Sequence, residues 1–103
     1  MSQTEGGATS REALGARIRR LRVARGMTQI ELAAAMRELG VRTEASNIAR
    51  YEADIYEPKL RTFAALARAL GVTLDVLYYG EEGAARIAEE REHAGGDVAS
   101  AGG

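Results

Sequence analysis

Cysteine is absent from this 103-residue chain, tryptophan is absent too, and proline appears once, at Pro58. Without cysteine there are no disulfides, no thiol catalysis and no Cys-based zinc site, so a cytoplasmic protein is the expectation. Aromatic residues make up only 5% of the chain. Their scarcity points to a compact helical bundle rather than a sandwich or barrel. No stretch approaches the ~18 apolar residues that would span a bilayer, so no membrane association is expected. The first residues place no apolar segment behind a basic one, so no secretory signal is expected. The single histidine, His93, lies near the end and reads as solvated. No carboxylate pair has a defined pocket and no Gly-rich phosphate loop is present. An enzyme is therefore not expected, nor a metal, a cofactor or a small-molecule ligand.

What is there is charge, unevenly placed. The net charge of −1 divides into a basic body and an acidic end. Residues 11–79 carry twelve Lys/Arg against eight Asp/Glu, whereas residues 80–103 carry two Arg against six acids. A basic body suits a polyanionic partner, although an ordinary solvated surface has the same composition.

The apolar residues recur at helical spacing between helix stop signals. Residues 1–9 are small and polar and read as a flexible N-terminal arm. Thr9 and Glu12 fit a capping box for a first helix, with Leu14, Ile18 and Leu21 on one face and Gly26 as its stop. Thr28 and Glu31 fit a second box, with Leu32, Ala33 and Met36 facing inward, Gly40 as the stop and Val41 plugging the core. A third helix starts near Thr43 or Glu44. Ile48, Tyr51 and Glu52 lie on one side of it, Ser46, Arg50 and Ala53 on the other, and Asn47 and Ala49 on the flanks. The inward Glu52 requires a partner. Pro58 opens a fourth helix with Leu60, Phe63, Leu66, Ala67 and Leu70 as its stripe. Thr73 caps a short fifth holding Leu74, Leu77, Tyr78 and Tyr79. The expected organisation is thus an all-α, five-helix domain over 10–80. A short sixth, acidic helix over 81–94 is available as a dimer or partner contact, and 95–103 is a disordered tail.

Thr28-Gln29 at the start of one short helix and Ile48-Ala49-Arg50-Tyr51-Glu52 inside the next look like a helix-turn-helix. Further anchors stand in register: Leu14, Ile18 and Leu21-Arg22; Gly26-Met27; Leu32-Ala33; Pro58-Lys59-Leu60; and Leu66 through Asp75. Over residues 11–80 the chain resembles the lambda-repressor/Xre family of DNA-binding domains. The resemblance implies double-stranded DNA as partner, a homodimer on an inverted repeat, and the third helix in the major groove. It implies an ion pair between Arg22 and Glu52. It also implies base contacts from Ala45, Ser46, Asn47 and Arg50, with Arg50 suited to the O6/N7 edge of guanine. Phosphate contacts are expected from Thr28, Gln29, Lys59, Arg61 and Arg42. Arg19 and Arg20 read as solvated. The dimer contact is expected from Leu77, Tyr78 and Tyr79.

The chain departs from the family pattern in three places. By this alignment five extra residues separate Thr28-Gln29 from Ile48, and they bear on which of residues 42–47 reach DNA. Ala53-Asp54 stands where a glycine commonly ends the third helix. Lys59 stands where a capping serine is common. Two other readings stay open: an antitoxin-type module whose acidic C-terminal segment binds a toxin partner, and an interaction module that has lost DNA binding.

Overall fold

The computed structural model describes the backbone of residues 12–102 and the side chains of 12–93. The arm over 1–9, with the cap expected of Thr9, lies outside the described residues. Among the described residues five helices follow in order: α1 (Leu14–Ala24), α2 (Gln29–Glu38), α3 (Ala45–Glu52), α4 (Leu60–Leu70) and α5 (Leu74–Gly102). No strand occurs among the described residues, and the all-α class read from the sequence holds.

The core is the convergence of the inward stripes. Ile18 and Leu21 of α1 are buried with Leu32, Ala33 and Met36 of α2, Ile48 of α3, Phe63, Leu66, Ala67 and Leu70 of α4, and Leu77 of α5. Val41 is buried from the α2–α3 turn, as expected. Leu60 differs from expectation. Leu60 is 77% exposed and Leu74 is exposed as well. Each opens its helix where no neighbouring element covers it, and both line the same surface groove.

The starts of two helices also differ from the reading of the sequence. α1 begins at Leu14 behind Ala13, which supplies no side-chain cap. Glu12 does not serve that helix end as a capping-box residue. Its carboxylate accepts from Arg17 Nε (3.2 Å) and Arg20 Nε (2.8 Å). At α4 the cap position is Lys59, so Pro58 stands one residue before the cap rather than opening the helix. Thr73 behaves as expected, its Oγ accepting from Val76 N–H at 3.1 Å.

The missing cap of α1 is supplied from another helix. Asp54 has φ 59° and ends α3 where a glycine would ordinarily do so. The N–H of Asp54 donates to the Tyr51 carbonyl (3.1 Å), and that of Ile55 to the Arg50 carbonyl (2.9 Å). This is the paired closure of a left-handed helix stop. In that conformation the Asp54 carboxylate accepts from Gly15 N–H at 3.0 Å, satisfying an orphan donor in the first turn of α1. The close approach that permits this bond depends on Gly15. A Cβ there would stand 2.6 Å from the Tyr51 carbonyl oxygen and closer still to that of Glu52. Asp therefore does at position 54 what Gly cannot, at the cost of a backbone conformation Gly would adopt more easily.

α5 is broken at Gly80 (φ 85°, ψ 167°) into segments 74–79 and 81–102. The helix runs on to Gly102, whereas the sequence reading placed a short helix over 81–94 and a disordered tail after it. Ala, Glu and Arg dominate 84–94, and these are strong helix formers. Once started, a helix extends at one hydrogen bond per residue fixed. Arg17, buried in α1, closes the carbonyl end of the first segment. Its Nη1 donates to the Leu77 (3.1 Å) and Tyr78 (2.9 Å) carbonyls. Arg20 is not simply solvated. It donates to both Glu12 and Glu81, tying the second segment to α1. Arg91 Nη1 lies 3.2 Å from Asp75 Oδ2 and ties the same segment to the first one.

Two measurements test these contacts. In equilibrium unfolding, Asp54→Asn should match the parent, because Asn keeps an acceptor oxygen and tolerates the left-handed region. Asp54→Gly should lose about 1 kcal/mol, as for loss of a helix cap. Asp54→Ala should lose more, since it forfeits the conformation as well. A glycine variant as stable as the parent would show that the bond to Gly15 contributes no more than the easier left-handed backbone that glycine supplies. The second test is acid. The hydrogen bonds from Arg20 hold the Glu12 and Glu81 carboxyls below the usual carboxylate range. A lowered folded-state value gives stability present above the ordinary ~4.3 and lost as pH falls through the lowered value. Arg20→Gln should therefore lower Tm at pH 7 and make no difference at pH 2. The effect at pH 7 is modest, under ~1 kcal/mol for such exposed pairs, and shrinks with salt. A Tm difference that persists undiminished at pH 2 would mean that the contact is not ionic.

Candidate nucleic-acid interface

Eight residues of α3 present two unlike faces. Ile48 is fully buried, whereas Ser46, Arg50 and Ala53 are exposed and Ala45, Asn47 and Ala49 lie between. Ser46 and Arg50 are four residues apart, one above the other on the outward face. Asn47 turns its amide across the first turn to within 3.4 Å of Thr43 Oγ. The N-cap, Glu44, makes no side-chain bond to the helix and places a carboxylate at the exposed entrance.

The inward face is held by a charged network. Glu52 accepts two bonds from Arg22, from Nε at 2.6 Å and Nη2 at 3.0 Å, and the two side chains are only 11% (Arg22) and 6% (Glu52) exposed. The third guanidinium nitrogen, Nη1, donates to the Met27 carbonyl at 2.8 Å. The bond to Glu52 raises the Arg22 guanidinium above its ordinary pKa, against the opposing effect of burial. Gln29, expected to offer its amide to a phosphate, donates it to Glu52 Oε1 at 3.1 Å. One amide hydrogen is thereby committed to the network and the second stays available. Thr28 caps α2 in a complete capping box with Glu31. Its oxygen accepts from Glu31 N–H, which leaves the hydroxyl hydrogen unspent.

The turn between α2 and α3 is pinned rather than loose. Thr43 is buried, and its carbonyl accepts from Arg37 Nη1 at 2.8 Å. The same Arg37 nitrogen stands 3.7 Å from Glu44 Oε1. Arg42 points out of this turn and is exposed, as are Lys59 and Arg61 at the start of α4. Among the described residues no ion pair engages Arg42, Arg50, Lys59 or Arg61, whereas Arg17, Arg20, Arg22 and Arg37 are all paired.

Of the residues expected at a dimer contact, Leu77 is not available. It is fully buried and closes the core between α1 and α4, because the short first segment of α5 turns it inward. Tyr78 and Tyr79 are both exposed and stack edge to face, with ring centroids 4.9 Å apart. With Leu60, Phe63 and Leu74 they line a groove of about 450 Å³.

Three residues of this region escaped the reading of the sequence. Arg17 falls between Leu14 and Ile18 on the inward stripe, a signal that a search for apolar periodicity passes over. Arg37 braces the turn through a backbone carbonyl, which no side-chain pattern announces. Tyr56 stands beside Arg50, whose Cζ lies 5.8 Å from its ring centroid. That contact depends on the left-handed turn at Asp54 and has no sequence signature of its own. Among the described residues no group of His, Asp or Glu is placed to hold a metal ion, and no helix is long and apolar enough to cross a membrane.

A family model described as helix-turn-helix matches residues 18–77, the span from the middle of α1 to the first segment of α5. No curated protein and no solved structure matches the chain significantly.

The buried pair sets a direct expectation. Glu52→Ala leaves Arg22 uncompensated and should lower the unfolding free energy by ~3–5 kcal/mol. Arg22→Met combined with Glu52→Leu should recover most of that loss, since removing both charges also removes their desolvation cost. Denaturant titration of the three proteins measures it. A single-variant loss under ~1 kcal/mol would place the pair with ordinary surface salt bridges.

Proposed function

The chain belongs to the Xre/lambda-repressor-like helix-turn-helix family of DNA-binding regulators, and we propose that it acts in the cytoplasm as a repressor, binding an inverted-repeat operator as a homodimer. The observation that carries this reading is the two-faced α3. Its inner side is locked to α1 and α2 through Glu52, and its outer side offers Ser46 and Arg50, neither of which makes an ion pair or a side-chain hydrogen bond among the described residues. In this reading α3 enters the major groove. Arg50 takes a guanine edge with two hydrogen bonds, Ser46 meets a neighbouring base, and Asn47 and Ala45 lie at the margin of the contact. Phosphates are held by Arg42, Lys59 and Arg61, by the Thr28 hydroxyl and by the second amide hydrogen of Gln29. The groove containing Tyr78 and Tyr79 is the dimer contact, which sets two readers about one helical turn of DNA apart. Repression follows from occupancy, because a bound dimer blocks the polymerase.

Selection of bound sequences from random duplex DNA at physiological salt tests the reading. An inverted repeat should be recovered, and Arg50→Ala should lose ~1–3 kcal/mol concentrated at one base pair of each half-site. No enrichment over a nonspecific control would sink the proposal. A loss spread evenly over all sequences would move Arg50 from base to phosphate contact.

A further inference from the structure

The turn that follows α3 exposes a large aromatic side chain for which the core has no use. Tyr56 is 55% exposed, yet its position is well determined by the backbone. The left-handed residue Asp54 reverses the chain, and the N–H groups of Ile55 (2.9 Å) and Tyr56 (3.4 Å) both approach the carbonyl of Arg50. Residue 56 is thereby folded back alongside residue 50. The Arg50 guanidinium then lies over the Tyr56 ring, 5.8 Å from Cζ to centroid. It makes no ion pair among the described residues. A guanidinium over an aromatic face is held by the ring quadrupole and by its own weak hydration. A cation–π contact consumes no N–H donor, so the hydrogen-bonding groups that a base edge requires stay unspent.

We propose that Tyr56 is a positioning residue for Arg50: its ring holds the guanidinium in the orientation from which it reads a base. The inference rests on the reading of Arg50 as a base contact. A free arginine on a helix surface must give up several rotamers on binding, and an aromatic shelf removes part of that loss beforehand. Asp54 has a second consequence in this scheme. The residue that caps α1 also sets the turn that delivers Tyr56 to Arg50.

The test uses the full chain with Tyr56→Phe, Tyr56→Ala and Arg50→Ala, and the Tyr56→Ala, Arg50→Ala double variant. Each is titrated with the selected operator and with operators altered at single base pairs. Tyr56→Ala should weaken operator binding roughly two- to fivefold, the fold-change that a cation–π contact at an exposed site corresponds to. The loss should fall at the base pair where Arg50→Ala loses discrimination, and Tyr56→Phe should restore it. In the Arg50→Ala background, Tyr56→Ala should cost nothing more. In the free protein, the Arg50 Nε–Hε resonance should move toward its solvated position in Tyr56→Ala and stay in place in Tyr56→Phe. Equal losses from Tyr56→Ala with and without Arg50 would overturn the proposal, as would a phenylalanine variant as impaired as alanine or an unmoved Arg50 resonance. If Arg50→Ala leaves base preference intact, the reading of Arg50 fails first and the positioning role fails with it. If Arg50→Ala removes the preference while Tyr56→Ala acts independently, only the positioning role fails.

Discussion

The rest of the molecule depends on one buried carboxylate. Glu52 sits at the end of α3, accepts both prongs of Arg22 from α1, and takes a third bond from Gln29 at the start of α2. Three helices therefore meet on two oxygen atoms. A buried pair of this kind is weak evidence for net stability, because desolvating both charges offsets most of their attraction. Its effect lies in direction. A bidentate guanidinium–carboxylate contact tolerates little rotation, so it sets the angle at which α3 leaves the body. A hydrophobic contact of the same area would let α3 slide or turn. The outward face bearing Ser46 and Arg50 is the other side of the same constraint.

The neighbouring contacts reinforce it at the same end of the helix. Gly15 lets α1 press against the last carbonyls of α3, and Asp54 then closes both the end of α3 and the start of α1. The common solution for ending a helix, a glycine, would serve only the first of these tasks. Replacing it with a side chain that costs some backbone strain gains a cap across the interface. This end of α3 is thus tied twice to α1, by Arg22–Glu52 and by Asp54–Gly15. The other end is held by the Thr43 and Val41 anchors of the α2–α3 turn, with Arg37 bonded to the Thr43 carbonyl. A turn of this length between α2 and α3 need not loosen α3 when it is buried at two points.

Much of this was legible in the sequence, and what was not shares a physical cause. Ile18, Leu32, Met36, Ile48, Leu66 and Leu70 follow the helical period and are all buried. Gly26, Gly40 and Gly71 mark helix ends with positive φ. The partner of Glu52 could be named because an inward carboxylate demands one. The period does not say where a stripe runs past the core, so it includes Leu60 although that residue is exposed. Nor could it say which residue of Leu77-Tyr78-Tyr79 turns inward, because six residues make fewer than two turns and the angle is set by α1 and α4. The starts of helices were the least legible. The N–H groups of α1 are served by a residue 39 positions away from Gly15, and a local capping box cannot anticipate that. Arg17 is not announced because its Nη groups bond the backbone carbonyls of Glu12, Leu77 and Tyr78, which no side-chain pattern marks.

The same distribution of partners explains how a chain of net charge −1 can present cations to a polyanion. Arg17 and Arg20 of α1 are consumed by Glu12 and by the two sides of the Gly80 break in α5, the Leu77 and Tyr78 carbonyls before it and Glu81 after it. Arg22 is consumed by Glu52. The acidic segment after Gly80 is therefore fastened through Glu81 to the arginines of α1, and Arg91 pairs with Asp75 within α5 itself. The exposed cations without a partner among the described residues include Arg42, Arg50, Lys59 and Arg61, which flank or occupy α3 and the start of α4. Interactions between exposed charges fade over about 8–10 Å at moderate ionic strength. Glu12, Glu52 and Glu81, each set against an arginine, then subtract little from the field of the unpaired cations. Net charge is a poor guide to such a surface; the pairing of each arginine decides how much of the basic body remains for a ligand.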